Sequence, residues 1–112
     1  MAKPNVEVIE TAPGRVSVRG ALTFETARRA CDAGVRLFKR AKKAPLIEVD
    51  CGGVTEADSA GLAVLLEWLK WALKNERPMS FANLPASIRA VASISDVEPL
   101  LDGGIAVRAA AA

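Results

Sequence analysis

The stretch Val54-Thr55-Glu56-Ala57-Asp58-Ser59-Ala60-Gly61 separates two segments with different periodicities, and it decides how the chain around it folds. Residues 46–51 before it alternate in polarity, as a strand does. After it, leucines recur at the spacing of one helix face, at positions 62, 65, 66, 69 and 73. Asp58 and Ser59 are preferred N-cap residues because a short side-chain oxygen can accept a hydrogen bond from a first-turn N–H group. The stretch is therefore predicted to join a strand to a helix.

The two small residues that follow the predicted cap have two interpretations. Longer side chains at Ala60 and Gly61 would cover the first-turn amides. Their absence predicts a helix end that is open to a partner protein or to an anion. The alternative is a capped helix whose small residues only allow close packing on a strand.

The composition fits one soluble domain. Of the 112 residues, 51% are hydrophobic and 25% are charged, enough to bury roughly two thirds of the unfolded surface. A net charge of +2 and 4% aromatic residues offer little to attract or stack nucleic acid, so no nucleic-acid partner is predicted. No apolar run approaches the ~20 residues of a membrane span, and the N-terminus lacks the apolar segment of a signal peptide. We therefore expect a cytoplasmic protein without a membrane span.

Residue types that usually carry catalysis or bind metals are scarce. Histidine is absent, as are the G-x-S-x-G and G-x-x-x-x-G-K-[ST] patterns. Cys31 and Cys51 lack a C-x-x-C spacing and are predicted to be reduced thiols. A serine–lysine nucleophile pair would need a desolvated lysine, whereas all the lysines lie in charged stretches. We expect no enzyme activity, no metal and no cofactor.

The N-terminal third is predicted to form a hairpin and an amphipathic helix. Residues 6–10 and 15–19 alternate in polarity around Pro13-Gly14, which has the chemistry of a type II turn. Thr23 is predicted to cap a helix over residues 24–43 that packs small apolar residues on the sheet. Its opposite face is basic and lies in solvent, or near anionic lipid headgroups if the partner is a membrane complex. The basic residues are Arg28, Arg29, Arg36, Lys39, Arg40 and Lys43.

The rest of the chain predicts two more strands and a third helix. Gly52-Gly53 is predicted to end the strand over 46–51, and residues 79–84 alternate as the next strand. Pro85 opens a helix with Ile88, Val91 and Ile94 on its apolar side, and residues 105–108 are a candidate last strand. The order predicts an α/β fold: one domain over residues 1–108, with a mixed four- to five-stranded sheet and helices packed mainly on one face. Residues 109–112 form a low-complexity tail.

Two segments form a recognisable motif: VDCGGV at residues 49–54 and DSAGLAVLL at residues 58–66. Together they resemble the signature of STAS domains, a family named for sulfate transporters and anti-sigma factor antagonists. Residues 20–23, 78–84 and 84–101 match the family's neighbouring elements, so the resemblance covers about residues 5–101. Cys51 and Gly52 depart from the more usual Leu-Ser. The resemblance implies a STAS-like single domain.

One residue separates two bacterial uses of this domain. In anti-sigma factor antagonists of partner-switching pathways, the residue before the motif glycine is typically a serine that a partner kinase phosphorylates; here it is Ala60. The hydroxyl stands at Ser59, which is similar to the STAS subunit (MlaB-type) of the Mla phospholipid-transport ABC transporter. That resemblance implies a cytoplasmic accessory subunit, peripheral to the inner membrane. It would bind and regulate or stabilise the ATPase subunit, within a complex with a membrane permease that maintains outer-membrane lipid asymmetry.

The expected partner-binding residues form one strip along the second helix. Asp58, Ser59 and Ala60 begin it. Further residues recur at spacings of 3, 4 and 3, about 120° to 180° from the leucine face, which predicts an exposed aromatic row on an interface. These residues are Gly61, Val64, Trp68 and Trp71. The alternative for Trp68 is burial beneath a neighbouring helix.

Overall fold

Four strands and four helices lie within residues 4–103, the part of the chain that the computed structural model describes. The elements are β1 (Val6–Ala12), β2 (Arg15–Leu22), α1 (Ala27–Arg40), β3 (Ile47–Ala57), α2 (Ser59–Lys74), β4 (Met79–Ala82), α3 (Ala86–Ile94) and α4 (Glu98–Gly103). The sheet order is β1-β2-β3-β4. The β1–β2 pair is antiparallel, whereas β2–β3 and β3–β4 are parallel. The predicted α/β fold with a mixed sheet is confirmed.

The hairpin of β1 and β2 forms where the sequence predicts it. Ala12 pairs with Arg15 across Pro13 and Gly14. Gly14 has a φ of 78°, the left-handed value that a type II turn requires at its third residue and that glycine adopts without strain. The turn sets the register between β1 and β2, and α1 packs on these two strands.

One face of the sheet carries the core and the other faces solvent. Val16 and Val18 of β2 and Val49 of β3 are buried beneath the helices. On the opposite face, the exposed Arg15 lies 3.8 Å from Glu48 in the neighbouring strand. The alternation along these strands therefore predicts correctly which side the helices cover.

The first helix begins later than predicted, and Thr23 is not its cap. Strand β2 continues to Leu22, the chain then turns, and α1 starts at Ala27. Thr26, which is fully buried, donates its hydroxyl to the carbonyl of Ala21 (2.7 Å) and accepts from the N–H of Thr23 (3.0 Å). These bonds hold the four residues before α1 in a tight turn, so they cannot join the helix. The helix also ends at Arg40 instead of residue 43.

The third strand runs through Gly52 and Gly53 instead of ending there. It extends to Ala57 by pairing with β2 through two register shifts. Gly53 is the partner of Arg19, and a Cβ on Gly53 would lie 2.7 Å from Arg19 Cγ. Glycine here permits close approach between strands, which the sequence alone does not distinguish from a strand break.

The C-terminal helices differ from the prediction at two points. Pro85 precedes α3 as expected, but Ile94 is 86% exposed, so it is not part of the apolar side. The short helix α4 was not predicted, and it places Leu101 in the core. The candidate strand over 105–108 and the tail over 109–112 lie outside the described residues.

The two thiols occupy different environments. Cys51 is buried in β3, and burial raises the pKa of its thiol to about 12. We expect iodoacetamide at pH 8 to leave Cys51 unmodified in the native protein and to alkylate it in denaturant, because the reagent needs an accessible thiolate. A Cys31→Ser variant analysed by mass spectrometry isolates this residue. Alkylation at equal rates in the native and denatured protein would contradict the assigned burial.

Candidate partner-binding site

Asp58 holds the junction between β3 and α2 with both carboxylate oxygens. Its Oδ1 accepts hydrogen bonds from the N–H groups of Ala60 (2.9 Å) and Gly61 (3.2 Å). Its Oδ2 accepts from the N–H of Phe24 (3.1 Å), in the loop between β2 and α1. The predicted cap is confirmed at Asp58. The same side chain also ties two loops together, 34 residues apart in sequence.

These bonds favour the capped helix over the open helix end, the two interpretations that the sequence allows. The amides of Ala60 and Gly61 already donate to Asp58, so neither is left for a partner or an anion. A carboxylate at this end also repels a second negative group. What the junction offers to a partner is therefore its exposed side chains.

Gly61 is a packing residue. It is buried, and a Cβ there would lie 2.3 Å from the carbonyl oxygen of Leu22 and 3.2 Å from Leu22 Cγ. Because the nearest atom belongs to the backbone, no side-chain movement would relieve the clash. At this position, the interpretation of small residues as close packing on a strand is the correct one.

A groove of about 660 Å³ lies beside the junction, between α1 and α2. Phe24, which is 81% exposed, lines it together with Ala60 and the exposed Ala63. Charged residues also line the groove: Arg28, Asp32 and Glu67. An accessible aromatic ring next to small residues and charges of both signs fits a protein-binding surface. Phe24 is not among the predicted site residues because the sequence pattern predicts it to begin the first helix.

The predicted aromatic strip is wrong where it requires exposed side chains. Val64 is 3% exposed and Trp68 is 0% exposed, because α1 covers this side of α2. Trp68 Nε1 donates to the carbonyl of Cys31 (3.1 Å), and its ring meets Phe38 edge-on with centroids 5.4 Å apart. A Cβ on Gly34 would lie 2.5 Å from the indole ring. Trp68 is therefore an interior residue between α1 and α2.

The seven predicted site residues thus divide into three sets by their position in the structure. Asp58 and Ser59 are exposed and Ala60 is half-buried, at the surface of the junction. Trp71 is half-buried, with its ring 5.5 Å from that of Phe38. The remaining predicted residues are in the interior: Gly61, Val64 and Trp68.

Comparison with models of known protein families identifies the family of this chain. A family model described as "Mlab, STAS domain" matches residues 7–102, most of the sequence. The chain belongs to this STAS domain family. The match spans every described strand and helix except the first residue of β1 and the last residue of α4.

A solved structure shares the fold. The chain is similar to the anti-sigma factor antagonist SpoIIAA in its unphosphorylated form, with a TM-score of 0.64 and 13% sequence identity. The likeness covers 87% of this chain and 85% of SpoIIAA. At this identity it shows the STAS fold alone. A comparison with curated protein sequences found no significant match.

The described residues were searched for a metal site and for a membrane-spanning helix. No group of three or more His, Cys, Asp or Glu side chains within residues 4–103 is arranged to hold a metal ion. None of the helices in the same range is long and apolar enough to cross a membrane.

Proposed function

We propose that the protein is a non-catalytic cytoplasmic STAS subunit that binds the ATPase subunit of a phospholipid-transport ABC transporter of the Mla type. It regulates or stabilises that ATPase within a complex that includes a membrane permease, at the inner membrane. The complex would maintain outer-membrane lipid asymmetry. The observation that carries the proposal is the match of residues 7–102 to the family model named for MlaB.

The chemistry of the junction supports binding over phosphorylation. Ala60 has no hydroxyl at the position where the resemblance places the phosphoserine of an antagonist. A phosphate on Ser59 would add about −1.5 to −2 charge beside the carboxylate of Asp58, which opposes it. Ser59 and Ala60 are short and uncharged, so a partner protein can pack closely against the backbone of the junction without burying a charge at these two positions.

An anti-sigma factor antagonist is the second candidate. The observation that favours it is the fold shared with SpoIIAA over 87% of the chain. It would bind a kinase through the same junction, and Ser59 would be the residue that carries the phosphate. Ala60 is the sequence feature that counts against it.

A binding experiment separates the two candidates. The purified protein is mixed with the ATPase subunit of a Mla-type transporter from the same genome, and complex formation and ATP hydrolysis are measured. We expect a stable complex and a changed ATPase rate, with no hydrolysis by this chain alone. In parallel, the protein is incubated with an anti-sigma kinase and ATP. Stoichiometric phosphorylation of Ser59, without binding to the ATPase, would overturn the proposal in favour of the second candidate.

Phe24 tests where the partner binds. Phe24→Ala is expected to weaken the complex by roughly tenfold or more, because truncating an exposed aromatic anchor removes its contact with the partner. Ile94→Ala is the control, since Ile94 is also exposed but lies in α3. Affinities are measured by titration calorimetry. Equal losses from the two variants would place the interface away from the junction.

A further inference from the structure

The positive charge of the chain is concentrated in one segment. Residues 28–43 hold seven basic residues and one acidic residue, a formal charge of +6. The rest of the chain holds eight basic and twelve acidic residues, a formal charge of −4. The net charge of +2 conceals this separation. One part of the surface is therefore strongly positive on a protein that is otherwise mildly negative.

The structure places this charge on one side of α1, which we call the basic face. It consists of Arg28, Arg29, Arg36, Lys39 and Arg40, all exposed. At about 100° per residue they span an arc of about 120°, opposite the buried Ala30, Gly34 and Phe38. Lys42 and Lys43 extend the charge beyond the end of the helix, and both are exposed.

The basic face is not neutralised by the residues around it. Among the described residues, the seven basic side chains of this segment form no ion pair within 4.0 Å. Arg29 Nη1 donates to Asn5 Oδ1 at 3.5 Å, an uncharged acceptor. The acidic groups nearby are Asp32, on the same arc of α1, Glu67, which lines the groove beside Arg28, and Glu10, which lies near Arg40 and Lys42. The face thus keeps most of its positive charge for an external partner.

We propose that the basic face binds the anionic headgroup surface of a membrane. The fourteen residues of α1 present a straight positive strip about 21 Å long, which a planar surface can meet along its whole length. Each Lys or Arg near an anionic lipid surface strengthens binding by roughly fivefold, equivalent to about 1 kcal/mol. The face therefore supplies enough attraction for reversible association.

Other anionic partners fit the face less well. A protein interface has a desolvated core depleted in charge, and the arc of α1 between Arg28 and Arg40 presents no exposed apolar side chain for one. A single-stranded nucleic acid binds by stacking its bases on aromatic rings, which are few in this chain. A duplex is held by basic residues that contact its phosphates from several sides, whereas the rest of this chain is negative. A lipid surface requires neither an apolar core nor aromatic stacking, because its headgroups remain hydrated.

Vesicle binding tests the proposal. The full chain is sedimented with vesicles of phosphatidylcholine alone and of phosphatidylcholine with phosphatidylglycerol. We expect binding only to vesicles that contain the anionic lipid. That binding should be lost as salt rises from ~0.1 to ~1 M, where the screening length falls from about 10 to about 3 Å. No ATPase is present, so failure here leaves the proposed function intact, and failure of the proposed function leaves this result intact.

Two matched double variants locate the contact. Arg36→Gln with Arg40→Gln is expected to lower the partition coefficient by roughly 20-fold or more, from two fivefold losses. Lys70→Gln with Lys74→Gln removes the same charge from an exposed i, i+4 pair on α2 and is expected to change it by less than roughly threefold. Circular dichroism verifies that both variants are folded.

Four outcomes would overturn the proposal. They are absence of binding to the anionic vesicles, equal binding to the neutral vesicles, equal losses from the two double variants, and binding of a duplex oligonucleotide in place of the vesicles.

Discussion

Trp68→Ala is expected to lower the free energy of unfolding by about 3–5 kcal/mol, the cost of truncating a large aromatic residue in a core. Trp68 is fully buried, its indole N–H donates to the carbonyl of Cys31, and its ring packs edge-on against Phe38. Alanine would leave a cavity between α1 and α2 and an unpaired carbonyl beside it. Guanidinium denaturation followed by circular dichroism measures the change.

A second substitution in the same helix provides the control. Leu73 is 56% exposed near the end of α2, so Leu73→Ala is expected to cost less than about 1 kcal/mol. A domain of this size is stable by about 5–15 kcal/mol, so the Trp68 variant would lose a large part of that margin. If Trp68→Ala unfolds at the same denaturant concentration as the unmodified protein but fails to bind the ATPase, the interior role assigned to Trp68 is wrong.

The elements that the sequence predicts correctly are those with local causes. The hairpin follows from Pro13 and Gly14, whose backbone preferences match the turn between β1 and β2. Helix α2 begins at Ser59 because Asp58 caps it, and the bond between its carboxylate and Ala60 spans two residues. Such signals are contained within a few residues and need no tertiary contact.

The boundaries that the sequence misses depend on contacts with strand β2. The start of α1 is delayed because Thr26 donates its hydroxyl to Ala21 in the preceding strand. Strand β3 passes through Gly53 because β2 pairs with it there and leaves no room for a Cβ near Arg19. Threonine before a helical pattern and paired glycines after a strand have other, commoner meanings, so neither pattern reveals these contacts.

The sequence predicts the part of the candidate site that lies within one local motif and misses the part that other segments contribute. The motif marks Asp58, Ser59 and Ala60 correctly as the surface of the junction, whereas Phe24 reaches it through a backbone bond to Asp58. The predicted aromatic strip of α2 was misinterpreted as exposed. Helix α2 lies between the sheet and α1, so it buries two of its faces and not only the leucine face. Gly34 of α1 was the available signal, since the absence of a side chain there leaves space for the indole ring of Trp68.

Ser59→Arg is expected to weaken binding to the proposed ATPase partner by roughly 100-fold or more, because a charge buried without a partner at an interface costs several kcal/mol. Ser59 is exposed, and the side chain that caps α2 belongs to Asp58, so the substitution removes no capping bond. A positive charge near the helix N-terminus costs about 0.3–1 kcal/mol of stability, which the domain tolerates. Calorimetric titration gives the affinity, and chemical denaturation gives the stability.

Ser87→Arg separates the interface effect from the effect on the helix. Ser87 is likewise an exposed serine in the first turn of a helix, α3, so arginine there carries the same unfavourable interaction with the helix dipole. Both variants should therefore lose a similar, small amount of stability, and only the Ser59 variant should lose the partner. Normal affinity in Ser59→Arg would remove the junction from the interface. A comparable loss of affinity in both variants would show that the defect arises from the charge of the protein as a whole and not from contact at Ser59.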